Sequence, residues 1–157
     1  MEVKGIIDED FINYRKPSMV IEFPHCNFKC DRECGKQVCQ NSALATSRTI
    51  TILVKDIVQR YLDNDITHAI VCQGLEPFDS WDDLFYLVMA FRKQTQDDIV
   101  IYTGYNKDEI TSQVFLLDMF PNIIIKYGRY IPDQESHYDE ILGVTLASPN
   151  QYAEKIS

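Results

Sequence analysis

The sequence predicts an α/β fold in which a mainly parallel sheet forms a truncated, partial (βα) barrel. Short apolar runs alternate with segments whose apolar residues recur at helical spacing. That pattern belongs to βαβ units joined by right-handed crossovers. Four such units fit into 157 residues, too few to close an eight-stranded barrel. A chain of this length also suits a single core, so residues 1–157 are read as one domain.

The elements follow in order. Ser18–Phe23 (SMVIEF) is a strand stopped by Pro24, and a polar, cysteine-rich loop comes next. Val54, Ile57, Val58, Tyr61 and Leu62 predict an amphipathic helix ending near Asp63-Asn64. Ala69–Cys72 is a second strand, leading into a turn at Gly74. Ser80 is placed to cap the next helix, with Asp83 three residues on and Leu84, Val88 and Phe91 as its buried stripe. Asp98–Tyr102 is a third strand, broken by Thr103-Gly104. Asn106 with Glu109 caps a third helix through Phe115 and Leu116. Ile123–Ile125 reads as a fourth strand, its unbroken apolar character fitting a parallel strand covered on both faces. A further strand is expected at Ile141–Leu146, while the stretch before Ser18 carries no clear signal. The cysteine loop, the Gly74 turn and Thr103-Gly104 each follow a strand. All three should therefore share the rim where such folds gather their chemistry.

Composition narrows the function classes. A net charge of −9 with no Lys/Arg block argues against a nucleic-acid surface. No apolar run approaches the roughly 20 residues that span a bilayer, and the charged start MEVKGIIDEDF is unlike a signal peptide. The expectation is a cytoplasmic protein without a membrane partner. In that compartment thiols stay reduced, and clustered cysteines more often bind metal than form disulfides. The odd count of five cysteines agrees.

Cys26, Cys30, Cys34 and Cys39 fall within CNFKCDRECGKQVC. Three thiolates in one loop can hold an iron–sulfur centre while leaving one coordination position open. Zinc is an alternative, but tight zinc sites pair their ligands in two knuckles, and here one loop has only His25 nearby. A closed centre on all four cysteines is another. Cys72, inside a strand, reads as a small buried hydrophobe.

A cysteine loop after the first strand and Gly74-Leu75-Glu76-Pro77 after the second together resemble the radical S-adenosylmethionine enzymes. Their usual C-x3-C-x2-C spacing would need a cysteine at position 33, where Glu33 stands. Cys34 gives C-x3-C-x3-C and Cys39 gives C-x3-C-x8-C. Cys39-Gln40-Asn41 is similar to the end of this motif in activating enzymes of glycyl-radical proteins. The resemblance thus favours Cys26, Cys30 and Cys39 as metal ligands, with six extra residues before the third. Such an insertion adds little closure entropy, and Gly35 offers it a turn. Val38 replaces the family's aromatic beside the adenine, which leaves Phe28 as the candidate for that contact. Gly74-Leu75-Glu76-Pro77 resembles the family's Gly-Gly-Glu-Pro, which receives the methionine ammonium, with Leu75 in place of the second glycine.

Tyr102-Thr103-Gly104-Tyr105 and Ala147-Ser148-Pro149-Asn150-Gln151 are similar to segments of the activating protein of anaerobic ribonucleotide reductase. Lys126–Tyr130 sits where that family carries an Asp-Gly-Pro-Phe turn. The resemblance implies a [4Fe–4S] cluster and S-adenosyl-L-methionine as cofactors, with Gly74, Leu75, Glu76, Pro77 and Thr103 bordering the latter. It implies reductive cleavage to a 5′-deoxyadenosyl radical, driven by an external one-electron donor such as flavodoxin. It also implies a glycyl-radical partner, an anaerobic ribonucleotide reductase or another protein of that kind. The rival readings are a radical enzyme acting on a different protein or peptide, and a non-catalytic iron–sulfur or zinc binding module.

Overall fold

The computed structural model describes all 157 residues. It begins with strands β1 (Glu2–Val3), β2 (Gly5–Asp10) and β3 (Ser18–Phe23). The short helices α1 (Lys29–Cys34) and α2 (Ser42–Thr46) and strand β4 (Ile50–Thr51) follow. Helix α3 (Val54–Leu62), strand β5 (Ala69–Gly74), helix α4 (Trp81–Arg92), strand β6 (Asp98–Tyr102), helix α5 (Thr111–Leu117) and strand β7 (Ile123–Tyr127) form the repeating part. Strands β8 (His137–Asp139), β9 (Val144–Leu146) and β10 (Tyr152–Lys155) end the chain. No helix is long and apolar enough to cross a membrane.

The main sheet has the order β10-β7-β6-β5-β3-β2. Its four central strands are parallel, and β2 and β10 close the two edges antiparallel. The expected open, mainly parallel α/β sheet is what the chain forms. Two edge strands were not anticipated. Gly5–Asp10 pairs with β3 through a register shift between Ile7 and Asp10, and its polar residues hide it among loop sequence. Tyr152–Lys155 pairs with β7, so the segment after Gln151 joins the sheet. The strand expected at Ile141–Leu146 is shorter, since Ile141 and Leu142 instead give their N–H groups to the Asp139 carboxylate.

Helices α3, α4 and α5 cover one face. Ile57, Tyr61, Leu84, Leu87, Val88, Phe91, Val114 and Leu117 pack there on Met19, Ile21, Ile70, Cys72, Ile99, Ile101, Ile123 and Ile125. Cys72 is a core residue, as expected. Phe115 points outward at 70% exposure, so α5 buries Val114 and Leu117 instead, with Ile110 buried in the 3₁₀ turn just before it. Ser80 makes no capping bond. A 3₁₀ turn over Pro77–Ser80 leads into α4, and the Glu76 carboxylate accepts from its Phe78 N–H.

The other face changes character along the strands. Val20, Val71, Val100 and Ile124 lie side by side in register and are sealed by Tyr14, Leu142, Leu146 and Ala153. Two residues nearer the C-terminal ends, the same face carries Glu22, Gln73, Tyr102 and Lys126. Side chains alternate across a strand, so this step from an apolar row to a polar one marks where the core stops and the cavity begins.

Candidate metal centre

A cavity of about 380 Å³ opens at the C-terminal ends of the parallel strands. Its walls include Cys26, Cys30 and Cys39 from the loop after β3, Gly74, Leu75 and Glu76 after β5, and Thr103 and Gly104 after β6. The polar row Glu22, Gln73, Tyr102 and Lys126 makes its floor, and Arg129, Ala147 and Gln151 line another side. Seven of the eight predicted site residues share a single space. Pro77 is the exception: it is buried at the start of the 3₁₀ turn and does not line the cavity. Phe28 and Val38 do not line it either, so the adenine contact expected of Phe28 has no support in this arrangement. Cys34 is likewise absent from the walls.

The loop is folded onto the rim by its own polar residues. Asn27 N–H donates to Asp79 (2.8 Å), and its side-chain amide donates to Tyr105 Oη (2.6 Å). Tyr105 in turn donates to the other Asp79 oxygen (2.6 Å). This triangle joins the cysteine loop to the turns after β5 and β6. Phe28, at φ 52°, turns the chain so that its N–H donates to Cys26 Sγ (3.2 Å). Lys29 reaches Glu109, which also accepts from Arg129 (2.8 Å). Arg129 lies 3.5 Å from Glu33 as well, so α1 is clamped to the rim by ion pairs on both sides.

Burial favours the protonated forms of Cys26 and Cys30 until metal arrives. Burial pushes Cys26 up to about 11, against the Phe28 N–H that pulls it down. Cys30 is raised by burial and then by the charge of nearby Cys39. Binding must therefore expel protons, as thiolate sites generally do. No three His, Cys, Asp or Glu side chains converge on a point that would suit one ion. A four-iron cluster needs no such point, because its thiolates bind different irons. The donor set on the cavity wall, three thiols and an N–H directed at one sulfur, fits such a cluster.

The Gly74 turn is shaped by close packing. Gly74 has φ 103°, and a Cβ there would lie 2.6 Å from the Phe23 backbone nitrogen, so only glycine fits. Its carbonyl accepts from the Asn41 amide (2.7 Å), which ties the residue two beyond Cys39 to this turn. Glu76 is only 5% exposed. It accepts from Thr103 Oγ1 (2.8 Å), Gly104 N–H (2.8 Å) and Phe78 N–H (3.1 Å). Burial nevertheless lifts its pKa to about 7 against those donors. Thr103 spends its hydroxyl proton on Glu76 and accepts from Tyr105 N–H (3.0 Å). Lys126 donates to Gly128 O (2.9 Å) and is pulled down to about 8 by burial.

The tail is part of the wall. Asn150 donates to Arg129 O (2.8 Å), and Gln151 bridges Gly128 O and Ala147 N–H (3.3 and 3.0 Å). The floor row escaped sequence reasoning. Its signal was the recurring end of the strands, Val20-Ile21-Glu22, Val71-Cys72-Gln73, Val100-Ile101-Tyr102 and Ile124-Ile125-Lys126, where the same face turns polar each time.

Residues 18–146 match the family model described as a 4Fe-4S single cluster domain. Neither the curated proteins nor the solved structures give a match to the chain. With most of its length matched, and with thiols gathered at one cavity, the chain belongs to the 4Fe-4S single cluster domain family and is an iron–sulfur protein.

Proposed function

We propose that the protein is a radical S-adenosylmethionine enzyme whose cluster is held by Cys26, Cys30 and Cys39. The observation that carries this reading is that these three thiols, but not Cys34, share one cavity with the Gly74–Glu76 turn and Thr103. When bound and reduced by an external one-electron donor, the cluster would supply the electron for cleavage of the sulfonium C–S bond of S-adenosylmethionine to methionine and a 5′-deoxyadenosyl radical.

The chain's own residues bind and orient. The Gly74 carbonyl, with one lone pair taken by Asn41, keeps a second for a ligand ammonium. Glu76 adds negative charge beside it and locks the turns after β5 and β6 together through Thr103 and Gly104. Lys126 has a single hydrogen-bond partner, which leaves N–H donors for a carboxylate. The sealed apolar row beneath the floor keeps the lower sheet dry.

The partner is a glycyl-radical protein, with an anaerobic ribonucleotide reductase the first candidate. Phe11 and Ile12, 63% and 77% exposed, stand next to the cavity-lining Asn13. They offer apolar surface beside the opening to a macromolecule. The test is anaerobic reconstitution with iron and sulfide, reduction, and addition of S-adenosylmethionine. Formation of 5′-deoxyadenosine is expected, and an intact cluster that yields none would remove the enzyme.

A further inference from the structure

Cys34 is the obvious rival for the third ligand position. It lies four residues from Cys30 on α1, and residues so spaced share a helix face. It is less than half as far from Cys30 in sequence as Cys39 is, yet Cys39 reaches the cavity and Cys34 does not. One carboxylate oxygen contacts the chain at Cys39. Asp31 Oδ1 accepts from both Val38 N–H (2.7 Å) and Cys39 N–H (2.8 Å), and lies 3.9 Å from Cys30 Sγ.

The loop has been built around that contact. Gly35 ends α1 at φ 66° with open space around it, its N–H returning to Arg32 O (3.4 Å). Lys36 and Gln37 cross through solvent. The chain then comes back to the first turn of α1, where two main-chain donors meet a charged acceptor, the stronger kind of hydrogen bond. Past Cys39, Asn41 anchors the chain to Gly74. Cys39 is thereby held from both sides, and neither bond reaches Cys34.

We infer that Asp31 is the positioning residue that makes Cys39, rather than Cys34, the third thiolate of the centre. This rests on the ligand set proposed above but not on the radical chemistry. It explains how an insertion of six residues still delivers a ligand: the insertion carries its own closure.

The test combines Asp31→Ala and Asp31→Asn with Cys34→Ser or Cys39→Ser, each reconstituted anaerobically. Iron and sulfide per chain, visible absorption and Mössbauer spectra are read. With Asp31 intact, Cys39→Ser should lose most of the cluster and Cys34→Ser none. Asp31→Ala should lower cluster affinity by about tenfold or more, the usual scale for losing a ligand's supporting contact. What cluster remains should then depend on Cys34 as much as on Cys39. Asp31→Asn keeps an acceptor oxygen and should restore most of the loss.

Hydrogen–deuterium exchange over residues 36–41 gives a reading free of any folding defect in the variants. Protection is expected in the native protein and in Asp31→Asn. Native iron content with unchanged Cys39 dependence in Asp31→Ala would overturn the inference, as would rapid exchange at Val38 and Cys39 in the native chain. Loss with Cys34→Ser but not Cys39→Ser, while Asp31 is intact, would instead overturn the ligand set itself.

Discussion

The two faces of the four parallel strands differ in what they do for the protein. Under α3–α5, the inward residues are apolar along the whole strand, from Ile70 and Ile99 to Cys72 and Ile101. On the opposite face the apolar row of Val20, Val71, Val100 and Ile124 gives way to Glu22, Gln73, Tyr102 and Lys126. One face stabilises the fold, because buried apolar area is its largest favourable contribution. The end of the other face lines the cavity with polar and charged groups, half-buried at Glu22, Gln73 and Tyr102 and buried at Lys126, which opposes folding unless something binds there. Stability and function have been divided between two surfaces of one sheet.

The largest effect should come from the cavity rim. Replacing Cys26, Cys30 or Cys39 by Ser should abolish 5′-deoxyadenosine formation and most of the bound iron, while Cys34→Ser keeps both. An equal loss at Cys34 would contradict the separation of the cavity-lining cysteines from Cys34. On the helix-covered face, Ile101→Ala should lower unfolding free energy by about 2–5 kcal/mol in denaturant titration, the range for emptying a packed site. Glu22→Ala, on the floor, should change it by about 0.5 kcal/mol or less. Similar losses at the two positions would mean that the faces do not differ as described.

The pH dependence sharpens the same contrast. Glu76 titrates near 7 when folded and near 4.5 otherwise. Between those values the native chain keeps a proton that the unfolded chain releases, so stability falls as pH rises through that window. The loss is on the order of 3 kcal/mol. Lys126 is lowered from 10.5 to about 8. Between pH 8 and 10.5 the unfolded chain holds the extra proton, so stability rises again. Urea midpoints should therefore pass through a minimum near pH 7–8. Glu76→Gln should flatten the acidic limb, at the expense of one donor left facing another. Smaller still, Gly74→Ala should cost about 1–3 kcal/mol, the scale of a strained backbone, since φ 103° and the Phe23 backbone both oppose a Cβ. A thermal melt unchanged from the native protein would show that the turn is looser than its contacts suggest.

The fold was legible where burial made the pattern simple. Ser18–Phe23, Asp98–Tyr102 and Ile123–Ile125 read as strands because parallel strands covered on both faces are nearly continuous apolar runs. β5 runs two residues beyond the predicted Cys72, because Gln73 and Gly74 still pair with Glu22 and Phe23. Those same residues begin the cavity, so the polar character that hid them as strand is what makes them useful. Edge strands β2 and β10 were missed because edge positions tolerate polar residues on both faces. In the site, the cysteine loop and the Gly74 turn were readable through their order along the chain and the family resemblance that this order carries. Asp31 was not. An acid in a polar loop carries no sequence signal for which N–H groups it accepts, and only the return of the chain to α1 reveals it.

Radical chemistry at this cavity requires three thiolates that leave one iron free for a small ligand. Electron paramagnetic resonance of the reduced protein, with and without S-adenosylmethionine, tests this most directly, using the Cys34→Ser variant beside the native chain. Both proteins are expected to carry the cluster, and S-adenosylmethionine to shift the spectrum of each in the same way. A spectrum indifferent to that molecule, or a cluster lost with Cys34, would contradict it.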